Sequence, residues 1–284
     1  MNVLITGDKG FIGAALRPYL KKQGHRCWGF DIRDDDVPSN RIHPWLREHW
    51  DMIDAVVHLG AAPGVQQSIQ APEACFQFNT QSTAFTLERA RLENVKRFIF
   101  ASSAAAANPI SPYGASKAAG EALCRAYTKC YGMTCIPLRF ANVFGPGSYE
   151  KSSVVAQMLK AVVHDQPIVI HGTGEQRRDF VHVWDVCQAI EAALTKDIVP
   201  APQYVGSGDW ISVNALAFLV RNLVASDYPY LHKDALKGDI CEPPVFKIMD
   251  HYIPQFPIEQ PGVLEAVYED FKQHFSPKEH HYTI

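Results

Sequence analysis

The sequence predicts an α/β fold, a doubly wound parallel sheet followed by a smaller C-terminal lobe. Three observations predict it. Strand-like and helix-like runs alternate through the first half, which implies right-handed crossovers and a sheet with helices on both faces. The run Phe98-Ile99-Phe100 is continuously apolar, as in strands buried on both sides. The 284 residues are 47% hydrophobic and 20% charged, enough for a sizeable core and without the composition of a disordered chain.

The elements run in order along the chain. Residues 2–6 (NVLIT) form a short β-rich run, and 12–23 carry Ile12, Leu16 and Leu20 at helical spacing. Strand-like runs recur at 27–31 (CWGFD) and 54–59 (DAVVHL). A long helical stretch covers 72–92, the run RFIFA at 97–101 is the next strand, and a helix comes after it over 113–131. After about residue 142 the rhythm loosens, with Gly145-Pro146-Gly147, Gly172-Thr173-Gly174, Pro243-Pro244 and Pro254 as punctuation. The expected division is 1–142 as the main core, with later strands supplied by the second half, and 143–284 as a second lobe.

Charge and composition exclude several classes. Twenty-seven Lys and Arg against 30 Asp and Glu give a net charge of −3, which disfavours a nucleic-acid partner. No apolar run is long enough to span a membrane, and the N-terminus enters a strand at once, so a cytoplasmic protein without a secretory leader is expected. The seven cysteines, Cys27, Cys75, Cys124, Cys130, Cys135, Cys187 and Cys241, are odd in number and lack C-x-x-C spacing. Neither a disulfide framework nor a metal site is expected, and the His280-His281 tail reads as a solvated end.

Gly7-x-x-Gly10-x-x-Gly13 stands between the first strand and the first helix. Glycines there permit a tight turn, let the backbone approach a pyrophosphate, and let the helix pack close to the strand, while the helix N-terminus offers free N–H groups. Asp31 ends the second strand 18 residues after Gly13, where a carboxylate can accept hydrogen bonds from the ribose hydroxyls and repel a 2′-phosphate. This favours NAD, with Arg33 as the dissenting residue, since an arginine accommodates that phosphate. The alternative is a turn glycine cluster with Asp31 heading the solvated run Asp34-Asp35-Asp36.

Tyr113 and Lys117 stand four residues apart, one helical turn. An ammonium beside a phenol favours the phenolate and is expected to lower its pKa from about 10 toward working pH. Such a tyrosine can take a proton from a sugar hydroxyl. Ser102 and Ser103, at the end of the preceding strand, can hydrogen-bond the reacting oxygen. An exposed Tyr–Lys pair on a helix is the alternative.

The motifs Gly7-x-x-Gly10-x-x-Gly13, Asp31, His58-Leu-Gly-Ala-Ala62, Asn79, Ser102-Ser103 and Tyr113-x-x-x-Lys117 together resemble the extended short-chain dehydrogenase/reductases. Within these the chain looks like the NAD-dependent nucleotide-sugar epimerases and dehydratases. Two further stretches carry the likeness, Leu138 to Gly147 and Gly172 to Asp185. The resemblance implies a Rossmann core that binds NAD through Gly7, Gly10, Phe11, Ile12, Gly13, Asp31, Ile32, Leu59, Ala61, Ala101, Tyr113 and Lys117. It implies Tyr113, Lys117 and Ser103 as catalytic residues. Ser102, Ser103, Asn142, Arg178 and Lys237 would hold a nucleotide sugar, UDP-linked, and the helices near 72–92 and 113–131 would form a homodimer interface. Asn79 and His58 also read as purely structural, Asn142 as a turn residue, and one of Arg177 and Arg178 as a surface charge.

The reaction depends on the residues just after Ser103. Dehydratases that resemble this chain place an Asp-Glu pair there, and the decarboxylases keep a glutamate close by. Ala104 and Ala105 can do no proton chemistry, which resembles the 4-epimerases. The expected function is therefore epimerisation of a UDP-sugar at C4. The alternatives are a UDP-glucuronate decarboxylase or 4,6-dehydratase with an acid recruited from Glu150 or Glu175, or a non-catalytic NAD-binding protein. Two departures from the pattern stand out. Ser103 and Tyr113 are only 10 residues apart, so Ser102 or Ser111 could take the place of Ser103. Leu236-Lys237-Gly238-Asp239 puts Leu236 where the family has an arginine.

Overall fold

The computed structural model describes residues 1–33, 49–238 and 246–276. Asp34 to Asp36, Asp239, Cys241, Pro243-Pro244 and the tail with His280 and His281 lie outside the described residues. The main sheet has six parallel strands: β1 (Asn2–Thr6), β2 (Arg26–Phe30), β3 (Ala55–His58), β4 (Arg97–Ser103), β5 (Thr134–Phe140) and β9 (Gln203–Val205), in the order β2-β1-β3-β4-β5-β9. The order reverses between β1 and β3, and open parallel sheets form their binding crevice beyond the strand ends at such a point.

Alternation along each strand sorts its residues between two cores. Val3, Ile5, Val57 and Ile99 face α1 (Phe11–Lys22) and α7 (Val183–Thr195), where Leu16, Leu20, Val186 and Ile190 complete one apolar cluster. Leu4, Val56, Phe98 and Phe100 face the other way, against Leu87 and Ala90 of α4 (Ser82–Leu92) and Cys124 of α5 (Pro112–Tyr131). The strand runs of the sequence fall within a residue or two of their expected places. The helical stretch 72–92 differs in one respect. It runs as α3 (Pro72–Phe76), a π-turn at Gln77–Gln81 and then α4. The extra residue of a π-turn rotates the helix face, and it brings Asn79 round to the β3 end.

The second half builds small sheets in place of regular crossovers. β6 (Asn142–Phe144), β8 (Arg177–His182) and β10 (Trp210–Ser212) form one, and β7 (Ile168–His171) pairs with β11 (Tyr230–Lys233). Their core is shared with α6 (Val154–Val163), α8 (Val213–Asn222) and α9 (Val263–Phe275) and uses only residues from Phe144 onward. By contrast α7 and β9 pack with the first half. Phe246 stacks on Tyr204 at 4.3 Å, and Leu264, Val267 and Phe271 of α9 are buried, so the C-terminal aromatic stretch is packing. Among the described residues no helix is long and apolar enough to cross a membrane.

Candidate active site

A cleft of about 1880 Å³ opens along the carboxyl ends of β1, β3 and β4 and continues to the second half of the chain. Pockets for one small ligand measure about 300–1,000 Å³, so this cleft has room for two. Most of the expected site residues line it: Gly7, Gly10, Phe11, Ile12, Asp31, Ile32, Leu59, Ala61, Ser102, Ser103, Tyr113, Asn142 and Arg178. Gly13, Ala101 and Lys117 stand behind these, and Lys237 is exposed outside them.

The first end is a backbone cradle. Gly7 has φ +73°, a left-handed conformation open to glycine, and a Cβ there would lie 2.8 Å from the Gly60 nitrogen. A Cβ on Gly13 would lie 2.3 Å from the Gly7 oxygen and 2.5 Å from the Asp8 Cα. Helix α1 starts directly from this turn, with Gly10 as its N-cap. Asp31 is buried, and its carboxylate accepts from the Lys9 N–H (3.2 Å), the Arg33 N–H (3.0 Å) and the Arg33 guanidinium (3.0 Å). Burial pushes its pKa up, but the hydrogen bonds from Arg33 and Lys9 outweigh this and hold it below the ordinary carboxylate value. Arg33, the dissenting residue of the sequence, is thus engaged by the Asp31 carboxylate itself.

The β3 end is fixed by buried polar contacts. His58 bonds Thr6 Oγ1 (2.7 Å) through Nδ1 and Thr83 Oγ1 (3.1 Å) through Nε2. The Thr83 hydroxyl donates to the Asn79 carbonyl, so it accepts from Nε2–H, and Nδ1 is the acceptor. Burial, then the Lys117 charge, lowers the His58 pKa to about 3, so this histidine is neutral and structural. Asn79 accepts from the Ala62 N–H (2.7 Å) and donates to the Ala62 carbonyl and to Ser116 Oγ. It ties the Leu59–Ala62 segment to α5.

Three side chains of α5 meet the end of β4. Ser111 caps the helix by accepting from the Gly114 N–H, and Pro112 occupies its first turn. The connection is taken up by a tight turn at Ala104–Ala106, where the Ser103 hydroxyl accepts from the Ala105 N–H at 3.2 Å and stands near enough to Tyr113 to hold its pKa down. Lys117 Nζ donates to the Ala101 carbonyl at 2.7 Å and lies 5.9 Å from the Tyr113 ring centre. Ser111 is committed to capping. Ser102 Oγ donates to Glu121 Oε1 at 2.5 Å, so the hydroxyl proton expected on the substrate points into the protein. Ser103 is the serine beside the phenol.

The expected fall in the Tyr113 pKa is corrected. Burial raises it, the Ser103 hydroxyl only partly offsets this, and Cys75 adds to the rise. The ammonium of Lys117 is directed at a carbonyl, and burial brings its own pKa down to about 8. A positive charge entering the cleft would favour the phenolate.

The opposite wall comes from the second half. Asn142 Nδ2 donates to the Asp179 carbonyl, and Arg178 Nη1 to the Arg177 carbonyl. Asp179 is wholly buried and accepts from Tyr204 (2.9 Å), from the Ser207 N–H (2.8 Å) and hydroxyl, and from the Gly208 N–H, which anchors the strand carrying Arg178. Leu236 and Gly238 line the cleft, while the Lys237 carbonyl accepts from Gln66. Sequence reasoning missed Gln66 and Gln67 of α2 (Val65–Gln70). Gln67 donates to Ser152 Oγ at 2.8 Å, so α2 reaches across the cleft at two points. It also missed Tyr149 and His274, which stack at 3.7 Å where both line the cleft. No periodicity or spacing marks these four.

The glycine cradle, which admits no Cβ, and the buried carboxylate of Asp31 suit the pyrophosphate and ribose of NAD. Tyr113, Lys117 and Ser103 come together beside this cradle, and the arrangement defines a dinucleotide-dependent enzyme. A sequence model of the NAD dependent epimerase/dehydratase family matches residues 3–205, and the chain belongs to that family. The chain is 29% identical to UDP-glucose 4-epimerase of Mycolicibacterium smegmatis, over 84% of this chain and 88% of that one. It is 25% identical to UDP-glucuronate 4-epimerase of Thermodesulfobacterium geofontis, over 90% and 92%. The structure of UDP-glucose 4-epimerase with UDP-glucose from Thermotoga maritima matches with a TM-score of 0.83 at 26% identity, over 96% and 99% of the two chains. MoeE5 in complex with UDP-glucuronic acid and NAD matches with a TM-score of 0.85 at 25% identity, over 96% and 100%. The chain is an NAD-dependent enzyme of the nucleotide-sugar epimerase/dehydratase group, which sets aside a non-catalytic NAD-binding protein.

Proposed function

We propose that the chain epimerises a UDP-sugar at C4 through a transient 4-keto sugar. The observation that carries this is that, among the described residues, no carboxylate stands beside the phenol. Ala104 and Ala105 come directly after Ser103, and the carboxylates among the described cleft-lining residues are Asp31 and Glu150, both acting on Arg33. Glu175 accepts from Asn214 on the surface. Dehydration needs a proton-transfer group at the sugar, whereas C4 epimerisation reuses one tyrosine.

In this reading Tyr113 Oη takes the proton of the C4 hydroxyl and later returns it. Ser103 hydrogen-bonds the same oxygen. Lys117 adds positive potential behind the phenol and locks α5 to β4 through Ala101. NAD, held by the Gly7–Gly13 turn and Asp31, would supply the hydride acceptor for this oxidation and the hydride for the return step. Arg178 holds the diphosphate with its forked donors, and Asn142 borders the sugar, with Lys237 at the rim. The chain works as a cytoplasmic homodimer. An apolar groove between α3, α4 and α5, with Phe76, Ala119, Ala122 and Leu123, supports the pairing, and ultracentrifugation tests it.

Proton NMR with NAD and UDP-glucose, UDP-N-acetylglucosamine or UDP-glucuronate tests the reaction. Inversion of the H4 coupling with an intact carbon skeleton is the expected result. A stable 4-keto sugar or a pentose as the only product overturns it.

A further inference from the structure

We propose that Glu121, clamped by Arg139, is a positioning residue that fixes the end of β4 through Ser102 and so holds the Ser103 hydroxyl on Tyr113. The inference rests on the C4-oxidation reading for its kinetic part. Tyr113, Lys117 and Glu121 recur every four residues and form one stripe on α5. Lys117 meets the Ala101 carbonyl at 2.7 Å and Glu121 the Ser102 hydroxyl at 2.5 Å, and Ser103, next along the strand, stands beside Tyr113. The helix approaches so closely there that a Cβ on Gly120 would lie 2.3 Å from the Phe100 ring. Arg139, the β5 register partner of Ser102, donates to both Glu121 oxygens at 2.8 and 2.7 Å.

Ser102, Lys117 and Glu121 are all buried. A buried ion pair is a poor source of stability, because desolvation offsets most of its attraction. What it supplies here is direction. With Arg139 holding both oxygens, the Glu121 carboxylate has a fixed orientation, and it presents one acceptor to Ser102. The next residue on the strand then carries its hydroxyl toward the phenol, where it opposes the rise in phenol pKa caused by burial. Among the described residues, the other titratable groups acting on the phenol or on Lys117 are Cys75 of α3 and His58 of β3.

The test uses the NAD-loaded protein. Ser102→Ala removes the tie and keeps the Glu121–Arg139 pair, Ser102→Thr restores the hydroxyl, and Arg139→Lys loosens the clamp. Tyrosinate formation is tracked by ultraviolet difference titration, with Tyr113→Phe subtracted. Ser102→Ala is expected to raise the Tyr113 midpoint by about one pH unit, a tenfold change in proton affinity. Ser102→Thr should return it to the parent value, and Arg139→Lys should shift it less in the same direction. In turnover, Ser102→Ala should lower kcat by ~10-fold to 100-fold with KM and NAD affinity within about twofold. An unchanged titration with a raised KM would make Ser102 a plain substrate contact and overturn the proposal, as would no change in either. The titration needs no substrate. A shifted midpoint in a protein that epimerises no UDP-sugar therefore overturns only the C4 reading, and an active epimerase with a flat titration overturns only the positioning role.

Discussion

The wall of the cleft that carries Gly7, Leu59 and Ser103 is made of the ends of β1, β3 and β4, whereas the facing wall draws Ser152, Arg178, Leu236 and His274 from segments spread over the second half. Backbone ladders hold the first wall, and His58, Asn79, Ser102 and Lys117 behind it are buried and hydrogen-bonded. Side-chain ties hold the second: Gln67 to Ser152, Gln66 to the Lys237 carbonyl, and Asp270 to the Gly147 N–H and Tyr149 hydroxyl. Damage to the first wall should thus act on chemistry and folding, and damage to the second on affinity, in graded steps.

The strongest break is Tyr113→Phe. Steady-state kinetics should show turnover lower by ~10²-fold to 10⁴-fold, while calorimetry finds NAD binding intact. Acid comes next. The unfolded chain protonates His58 near pH 6.5 and the folded one only near 3, so stability present above pH 6.5 is lost as pH falls toward 3. Denaturant melts should record a loss on the order of 3 kcal/mol at pH 4. His182, lowered by burial to about 4, works in the same window, so His58→Asn should reduce this slope without abolishing it.

Gly13→Ala places a methyl against backbone that cannot move aside. It should cost about 1–3 kcal/mol in thermal melts and abolish NAD binding. On the facing wall, Arg178→Lys replaces a forked donor with a point charge. KM for the UDP-sugar should rise ~10-fold with kcat nearly unchanged, a tenth of the affinity for one strong contact. The smallest effect is expected of Gln67→Ala, whose exposed hydrogen bond is worth about 1 kcal/mol. Substrate affinity should weaken a few-fold and NAD affinity should not move. A fall in kcat larger than that of Arg178→Lys would show that α2 belongs to the chemical wall after all.

The same contrast explains what was legible in the sequence. Gly7, Asp31, Tyr113 and Lys117 were readable because a tight turn, a strand end and a helical turn each impose local spacing. The structure brings them together as that spacing requires. The phenol's direction of shift was not readable, since it depends on burial and on where Lys117 points. Ser102 and Ser103 are neighbours of one type, and the sequence cannot say that one faces Glu121 and the other Tyr113. Gln67, Tyr149 and His274 acquire meaning only from partners 85 to 125 residues away, as Gln67 to Ser152 and Tyr149 to His274 show. The π-turn at Gln77–Gln81 likewise sets Asn79 against Ala62, a tie that no period in the helix encodes.

The place of β9 at the sheet edge bears on synthesis. It pairs with β5 from roughly sixty residues further along the chain. A ribosome delivering this protein exposes the Leu138–Phe140 edge well before Val205 emerges to cover it. Unpaired edges recruit foreign strands, and domains emerge at about 5–20 residues per second. The nascent first half therefore spends several seconds as an open template, the interval in which a chaperone has something to hold.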